Sequence, residues 1–290
     1  MEALRGDYPV SVLCRLSRVS RSAFYRWRSG PLSRRKQEDI RLLEAIKRIH
    51  VGYKRAYGSP SVYFELRSLG YFCGHNRVAR LMRENGVISR VTVRFRSLTK
   101  AGKREPVADN LLARNFAVRE PNRVWASDFT YIPTKEGFLY LAVVLDLYNR
   151  QVVGWGMSPR RGLELVSDAL RQALKKRPIE DGLLHHSDRD SLYSSGVYQG
   201  LLEENAMVCS MSRKGNCYDN ACVESFIGSL KNEMVAFERF ESRKEAALRL
   251  FEWIETYYNR VRRHSTLGFM SPVDYERKSI QPSKCVLQIR

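Results

Sequence analysis

The sequence predicts an α/β chain in which a mixed five-stranded sheet with flanking helices follows a basic, α-helical region. Three observations lead there. Residues 1–120 carry 26 basic and 10 acidic side chains, whereas residues 121–290 carry 24 and 21, so the two halves differ in kind. From Val124 the texture turns to apolar runs of strand length: VWASDFTYIP, FLYLAVVLDLYNR and QVVGWGMS. Beyond them, helix-period stretches alternate with two further short strand-like runs.

Composition narrows the function classes. The chain is 43% apolar and 28% charged over 290 residues, a globular balance with length for about two ordinary domains. Its net charge of +19 implies a polyanion as partner, the alternative being a basic surface that serves solubility alone. The longest apolar run, 138–145, is far short of the ~20 residues that cross a bilayer, and the N-terminus has no apolar signal core. No membrane association is expected. Cys14, Cys73, Cys209, Cys217, Cys222 and Cys285 form no C-x-x-C pair, so neither a zinc knuckle nor a disulfide framework is indicated, and a reducing cytoplasm fits.

Residues 1–30 have a helix-turn-helix outline. Val12, Leu13, Leu16, Val19, Phe24 and Trp27 can line one side of two short helices broken near 18–20. Ser20 can cap the second, leaving Arg21, Arg26 and Arg28 to phosphates or base edges. A second helical DNA-binding region spans 31–87. Ile40, Leu43, Ile46 and Ile49 recur at helical spacing, and Gly-Ser-Pro-Ser at 58–61 supplies a break and a cap for a helix that Gly70 ends. A further helix over 75–85 turns Val78, Leu81 and Met82 inward and Arg77, Arg80 and Arg83 outward, with Gly86 as its stop. Those arginines suit a DNA backbone; an ordinary solvated face is the alternative. His50 and His75 read as structural. Residues 88–120 lack periodicity and carry Arg90, Arg94, Arg96, Lys100, Lys103 and Arg104 with the breakers Gly102 and Pro106, a basic linker able to lie along nucleic acid.

Residues 121–237 form the sheet-bearing core. In the first strand Trp125, Phe129 and Tyr131 share one face and Ala126, Asp128 and Thr130 the other, which puts a carboxylate inside an otherwise buried strand. A turn at 135–137 leads to the second strand. Then follow a helix over 163–176, a strand over 182–187 ending at Asp188, a helix over 197–205, a strand over 207–211 and a helix over 219–235 bearing Glu224. Asn220 and Lys231 flank Glu224 by four and seven residues, so all three project from about one face. In the C-terminal segment, 238–290, Ala247, Leu250, Phe251, Ile254, Tyr258 and Val261 predict a packing helix over 243–262 with a basic end at Arg260, Arg262, Arg263 and His264. A helix start follows at Ser271 and Pro272.

Asp188 and Glu224 are separated by 35 residues, with Asp128 on a strand upstream. A lone Asp is ordinarily a cap or a surface charge. This D-D-(35)-E spacing on three strands, helix, strand, helix, strand and helix resembles the ribonuclease H-like fold of retroviral integrases and DDE transposases. The resemblance narrows to the OrfB-type transposases of bacterial insertion sequences, on W-A-S-D-F-T-Y around Asp128, L-D-L-Y-N-R at 145–150, H-S-D-R at 186–189 and G-N-C-Y-D-N-A-C-V-E-S-F at 215–226. Y-N-R-V-R-R-H-S-T-L-G-F-M-S-P at 258–272, and Y-G-S-P and R-L-M-R-E-N-G in the helical region, extend it over almost the whole chain.

Crowded carboxylates raise one another's pKa unless cations lie between them, and oxygen ligands without a His or Cys cluster favour Mg²⁺ or Mn²⁺. Two such ions could clamp a scissile phosphate for in-line transfer. The resemblance implies that Asp128, Asp188 and Glu224 are catalytic and metal-binding, Asp128 bridging both ions. It also implies that Lys231 contacts DNA beside them; an ordinary exposed lysine is the alternative. His185, His186 and His264 are read as positioning or structural, and Cys217 and Cys222 as not metal-binding.

The implied activity is cutting and joining DNA at terminal inverted repeats and target DNA. It would involve at least two copies of the chain and a companion upstream-frame protein or fusion, in a bacterial, nucleoid-associated cytoplasmic setting. The rivals are a ribonuclease H-like nuclease that cannot join strands and a non-catalytic DNA-binding regulator. One departure stands out: Asp190 and Leu192 occupy positions where the family usually has Gly and Gln. A left-handed turn there would strain Asp, which also adds negative charge beside the acids.

Overall fold

The computed structural model describes residues 1–30, 32–90 and 108–280. They fall into two units, Met1–Ile88 and Ser89–Arg290.

In the first unit a short 3₁₀ turn precedes the expected helix pair, α1 (Val10–Leu16) and α2 (Arg21–Ser29). Arg18 makes the turn between them at φ 53°, and Ser20 Oγ accepts the Ala23 N–H at 3.1 Å as the N-cap. The apolar face is narrower than its spacing suggests. Leu13, Cys14 and Phe24 are buried, but Leu16 and Trp27 are 75% and 70% exposed, since helices of about two turns cover only their central residues.

Helices α3 (Arg34–Gly52), α4 (Ser59–Ser68) and α5 (His75–Glu84) share a core of Leu42, Ile46, Ile49, Val62, Leu66, Val78, Leu81 and Met82. The buried stripe of α3 is Leu42, Ala45, Ile46 and Ile49, so the expected inward positions Ile40 and Leu43 are corrected to exposed and half-buried. The α4 start has Gly58 as N-cap and Pro60 in its first turn, with no serine cap. Gly70 and Gly86, at φ 83° and 63°, end α4 and α5 as expected.

Arg77 and Arg80 do not point freely outward. Arg77 Nε and Arg80 Nη2 donate to the two oxygens of Asp39 on α3 at 2.6 and 2.8 Å, and Arg80 Nη1 also reaches Glu84. Burial tends to raise the Asp39 carboxyl, but hydrogen bonds from Arg80 and Arg77 outweigh it and hold it below the usual range.

The second unit holds one sheet of β1 (Val124–Thr134), β2 (Gly137–Asp146), β3 (Val152–Ser158), β4 (Leu184–Ser187) and β5 (Val208–Met211), in the order β3-β2-β1-β4-β5. β1–β2 and β2–β3 pair antiparallel, β1–β4 and β4–β5 parallel. Helix α6 (Leu163–Lys176) matches its expected bounds, while α7 (Ser191–Ser194), α8 (Gly196–Glu204), α9 (Ala221–Glu233), α10 (Arg243–Phe251) and α11 (Pro272–Ile280) complete the unit.

The alternation along β1 sorts its side chains onto two cores. Trp125 joins Val144, Val153 and the α6 and α8 residues Leu165, Leu170, Tyr198 and Leu202 on one face. Ala126 and Ile132 join Val223, Phe226 and Leu230 of α9 and Leu250 of α10 on the other. A Cβ at Gly154 of β3 would collide with the Ala169 carbonyl and the Ala173 side chain, so glycine there lets α6 lie directly on the strand.

Two expectations are corrected in this unit. The described part of the linker, 108–120, is packed along a sheet edge, where an aperiodic, exposed segment was expected. Leu111 and Leu112 donate to Ser210 Oγ at 3.0 and 3.2 Å, the Met211 N–H donates to Asp109 O, and Leu112 is buried. Arg94, Arg96, Lys100, Lys103 and Arg104, with Gly102 and Pro106, lie outside the described residues.

The predicted helix over 243–262 is α10 followed by a π-helical stretch, Glu252–Tyr258. The wider turn changes the phase, burying Ala246, Leu250, Trp253, Ile254 and Tyr258 and leaving Phe251 and Val261 exposed. Arg262 is not a free basic end, because its guanidinium is paired with Glu233 at 2.6 Å. Among the described residues no helix is long and apolar enough to cross a membrane.

Candidate active site

Strand pairing and one side-chain tether gather the site. The parallel register ends at Ala126↔His186, two residues before Asp128 on one chain segment and before Asp188 on the other. Asp128 lies on the sheet face that packs against α9. The 3₁₀ turn Cys217–Asn220 leads into α9, and Asn220 Nδ2 donates to Ser127 O at 3.1 Å. Glu224 stands one helical turn beyond that tether, and Lys231 Nζ lies 5.3 Å from the centroid of the Tyr131 ring.

The electrostatics identify a shared environment. Burial first, and then the negative charge of Asp188, push the Asp128 carboxyl well above its usual range; Glu224 and Asp190 add to this and the Phe129 N–H, 2.7 Å away, opposes it. Burial likewise lifts Asp188 to about 6, against the Asp190 N–H that donates to it at 3.0 Å. Desolvation raises Glu224 and lowers Lys231, the latter opposed by Asp128.

Asp128 and Asp188 are half-buried and Glu224 is exposed. The three sense one another without closing into a ligand shell: among the described residues no group of three or more His, Cys, Asp or Glu is gathered tightly enough to hold a metal ion. The donor set nevertheless fits a hard cation, since it consists of carboxylates that disfavour one another's ionisation, the most exposed on a rotatable Glu side chain.

The histidines are struts. Burial lowers His185 to about 3 and His186 to about 4, so both are neutral near pH 7. His185 Nε2 lies 2.8 Å from Ser127 Oγ and 3.1 Å from Tyr198 Oη, while His186 bridges Ser210 and Ser212 at 2.9 and 3.1 Å. They bind β4 to β1 and β5. His264, lowered to about 3 by desolvation and the nearby Arg262 and Arg150, is half-buried, its ring edge-to-face with Tyr258. Cys222 Sγ lies 2.7 Å from Arg150 Nη1; the Cys217 side chain and Cys285 lie outside the described residues.

Asp190 does not adopt the left-handed turn expected of its position. It is extended, at φ −68° and ψ 143°, and N-caps α7 by accepting the Leu192 N–H at 3.0 Å. Its charge is met by Arg161 at 2.6 Å.

Sequence reasoning missed Asp219. Fully buried, it accepts from Arg213 Nε at 2.9 Å, Arg114 Nε at 2.8 Å and Asn110 Nδ2 at 2.9 Å, which fastens the edge segment to the turn that starts α9. Its place in the C-Y-D-N motif, six residues from Arg213, was the available signal, but Arg114 and Asn110 lie too far along the chain for spacing to reveal them. Asp128, Asp188, Glu224, Asn220 and Lys231 all belong to the sheet unit. Arg21 and Arg26, both exposed, and Arg77 and Arg80 belong to the helical one.

Residues 118–217 and 205–272 match two family models, each described as an integrase core domain, and residues 36–95 match an HTH-like domain. An antiparallel meander extended by two parallel strands, with that helical region ahead of it, is the integrase-core class of polynucleotidyl transferase. The chain is 40% identical over 282 residues to the transposase InsF for insertion sequence IS3A of Escherichia coli strain K12, covering 97% of this chain and 98% of that protein. It is 43% identical over 266 residues to the insertion element IS600 uncharacterized 31 kDa protein of Shigella sonnei, covering 92% and 98%. The chain therefore belongs to the OrfB-type insertion-sequence transposases, the IS3 family that includes InsF. Among solved structures, the catalytic core domain of BIV integrase aligns at 18% identity with a TM-score of 0.41, over 55% of this chain and 96% of that one.

Proposed function

We propose that this transposase cuts and joins insertion-sequence ends by in-line phosphoryl transfer at Asp128, Asp188 and Glu224, which hold two Mg²⁺ or Mn²⁺ ions. The observation that carries this reading is the parallel register that sets Asp128 and Asp188 each two residues past the Ala126↔His186 pair, with Glu224 one turn beyond the Asn220–Ser127 hydrogen bond. Bound cations would activate a water or a DNA 3′-hydroxyl and stabilise the leaving oxygen.

The chain's own residues do the rest. The Phe129 N–H orients Asp128, the Asp190 N–H orients Asp188, and Asn220 sets the start of the Glu224 helix. Lys231, on the α9 face of Glu224, contacts a DNA phosphate, whereas Asn220, expected as a second DNA contact, is buried with its amide on Ser127 O and serves the placement of α9 instead. The neutral, hydrogen-bonded His185 and His186 take no part as bases.

Terminal inverted repeats and target DNA are the partners. Arg21 and Arg26 reach phosphates or base edges from α2, while Arg77 and Arg80 reach DNA by exchanging Asp39 and Glu84 for phosphate oxygens on the α5 face. The working assembly contains at least two copies together with an upstream-frame companion or fusion, in a nucleoid-associated cytoplasmic setting.

The test is incubation of purified protein with labelled DNA ends taken from the sequence flanking its gene. Joined product with Mg²⁺ that disappears in Asp128→Asn supports the proposal. Cleavage without joining would indicate a nuclease, and activity indifferent to Asp188→Asn would sink the catalytic assignment.

A further inference from the structure

Asp190 is an acid two positions from Asp188, and both of its oxygens are engaged. Oδ1 accepts the Leu192 N–H at 3.0 Å and Oδ2 accepts Arg161 Nη2 at 2.6 Å. The Arg161 guanidinium carbon also lies 5.2 Å from the ring centroid of Phe129, the residue that follows Asp128. Arg161 thus touches both segments that carry the site's aspartates. It is about half exposed, whereas Asp190 is only 9% exposed, so the arginine reaches inward from the surface to cover a nearly buried charge.

A carboxylate beside a cation site has two outcomes: it joins the ligands or it is neutralised by another group. We propose that Arg161 is a positioning residue that holds Asp190 out of the metal-binding set, leaving the cations to Asp128, Asp188 and Glu224. This rests on the metal-binding reading above. Removing Arg161 deletes a positive charge and frees a carboxylate oxygen, and both changes draw a divalent cation inward. Tighter ground-state binding of this kind does not speed the chemical step.

The experiment is Mn²⁺ titration of the full-length protein, followed by the electron paramagnetic resonance signal of free Mn²⁺. It compares the wild type with Arg161→Ala, Arg161→Gln, Arg161→Lys, Arg161→Ala/Asp190→Asn and Asp128→Asn. The two neutral variants should bind Mn²⁺ on the order of 3- to 10-fold more tightly. Arg161→Lys, which keeps the charge, and the double variant should return to wild-type affinity. Unchanged or weaker binding in both neutral variants overturns the inference, as does a gain that persists once Asp190 is removed. Wild-type protein without Asp128-dependent Mn²⁺ binding would overturn the metal reading itself. Melting temperatures in chelator identify any variant that fails to fold, and the alanine and glutamine changes each suffice alone.

Discussion

Asn220 donates its side-chain amide to the carbonyl oxygen of Ser127 at 3.1 Å, joining the entry of α9 to the strand residue immediately before Asp128. Two of the three acids are thereby set by one hydrogen bond between elements 93 residues apart. Asn220→Ala should leave the buried Ser127 carbonyl without this donor, at a stability loss of about 1–3 kcal/mol. Strand-transfer rate should fall further than stability does, because Glu224 rides on the released helix. Urea melts set beside single-turnover rates check this, and a variant that loses stability while keeping its full rate contradicts it.

Asp219→Asn tests the second anchor of α9. Hydrogen bonds from Arg213 outweigh burial, and with Arg114 they hold this carboxyl far below the usual carboxylate range. Its folded-state pKa is depressed, so its contribution is complete above the unfolded value of about 3.9 and is lost only as pH falls below it. Both arginines are about half exposed, so we expect a discounted loss of about 1–3 kcal/mol at pH 7. Equal melting temperatures for variant and wild type at pH 7 would contradict the anchor.

The elements legible in the sequence are those whose signal is local. The long apolar runs revealed β1 to β3, and the amphipathic stretch over 163–176 revealed α6 to the residue. Motif and spacing singled out Asp128, Asp188 and Glu224 as candidate acids. Pairings across distance were not: Arg77 and Arg80 looked free because Asp39 lies 38 and 41 residues away, and Asp219 gave no hint of Arg114, 105 residues upstream. The π-helical stretch after α10 altered a phase that a 3.6-residue period assumes constant. The edge cover at 108–116 has no period at all, since it is held by Leu112 and Phe116 on the core, by the Ser210 hydroxyl and by Asp219. Asp190 escaped the strain expected of it because a helix N-cap is extended, a conformation any residue adopts.

His264 should govern part of the acid sensitivity of folding. Burial, with the positive charges of Arg262 and Arg150, lowers it to about 3 from an unfolded value of 6.5. The unfolded chain therefore binds the extra proton between those values, so stability is complete above about pH 6.5 and declines as pH falls towards 3. Asp146 works in the opposite sense. Burial lifts it to about 6 despite N–H donors from Asn122 and Tyr148, so its contribution is present below about 3.9 and is lost as pH rises through 6. His264→Gln should flatten the decline between pH 6.5 and 4.5 by about one proton's worth, roughly 1.4 kcal/mol per pH unit. Urea midpoints at half-unit intervals measure the slope, and an unaltered slope would show that His264 is protonated in the native state.

Asp128→Asn should separate stability from function. In the metal-free protein Asp128 is crowded by burial and by the charges of Asp188, Asp190 and Glu224, so ionising it strains the fold. An amide removes that repulsion while its oxygen can still accept the Phe129 N–H, which lies 2.7 Å from the carboxylate. In chelator at pH 7.5 the variant should melt higher than the wild type, since the burial penalty and repulsion that oppose the Asp128 charge are gone. Adding Mn²⁺ should reverse the order, because the wild type gains cation-linked stability in proportion to occupancy and the variant has lost a ligand. A variant that melts lower than the wild type without metal would mean that the acids within β1 and just past β4 are held apart by something stronger than their own repulsion. The same strands would then be serving structure before chemistry.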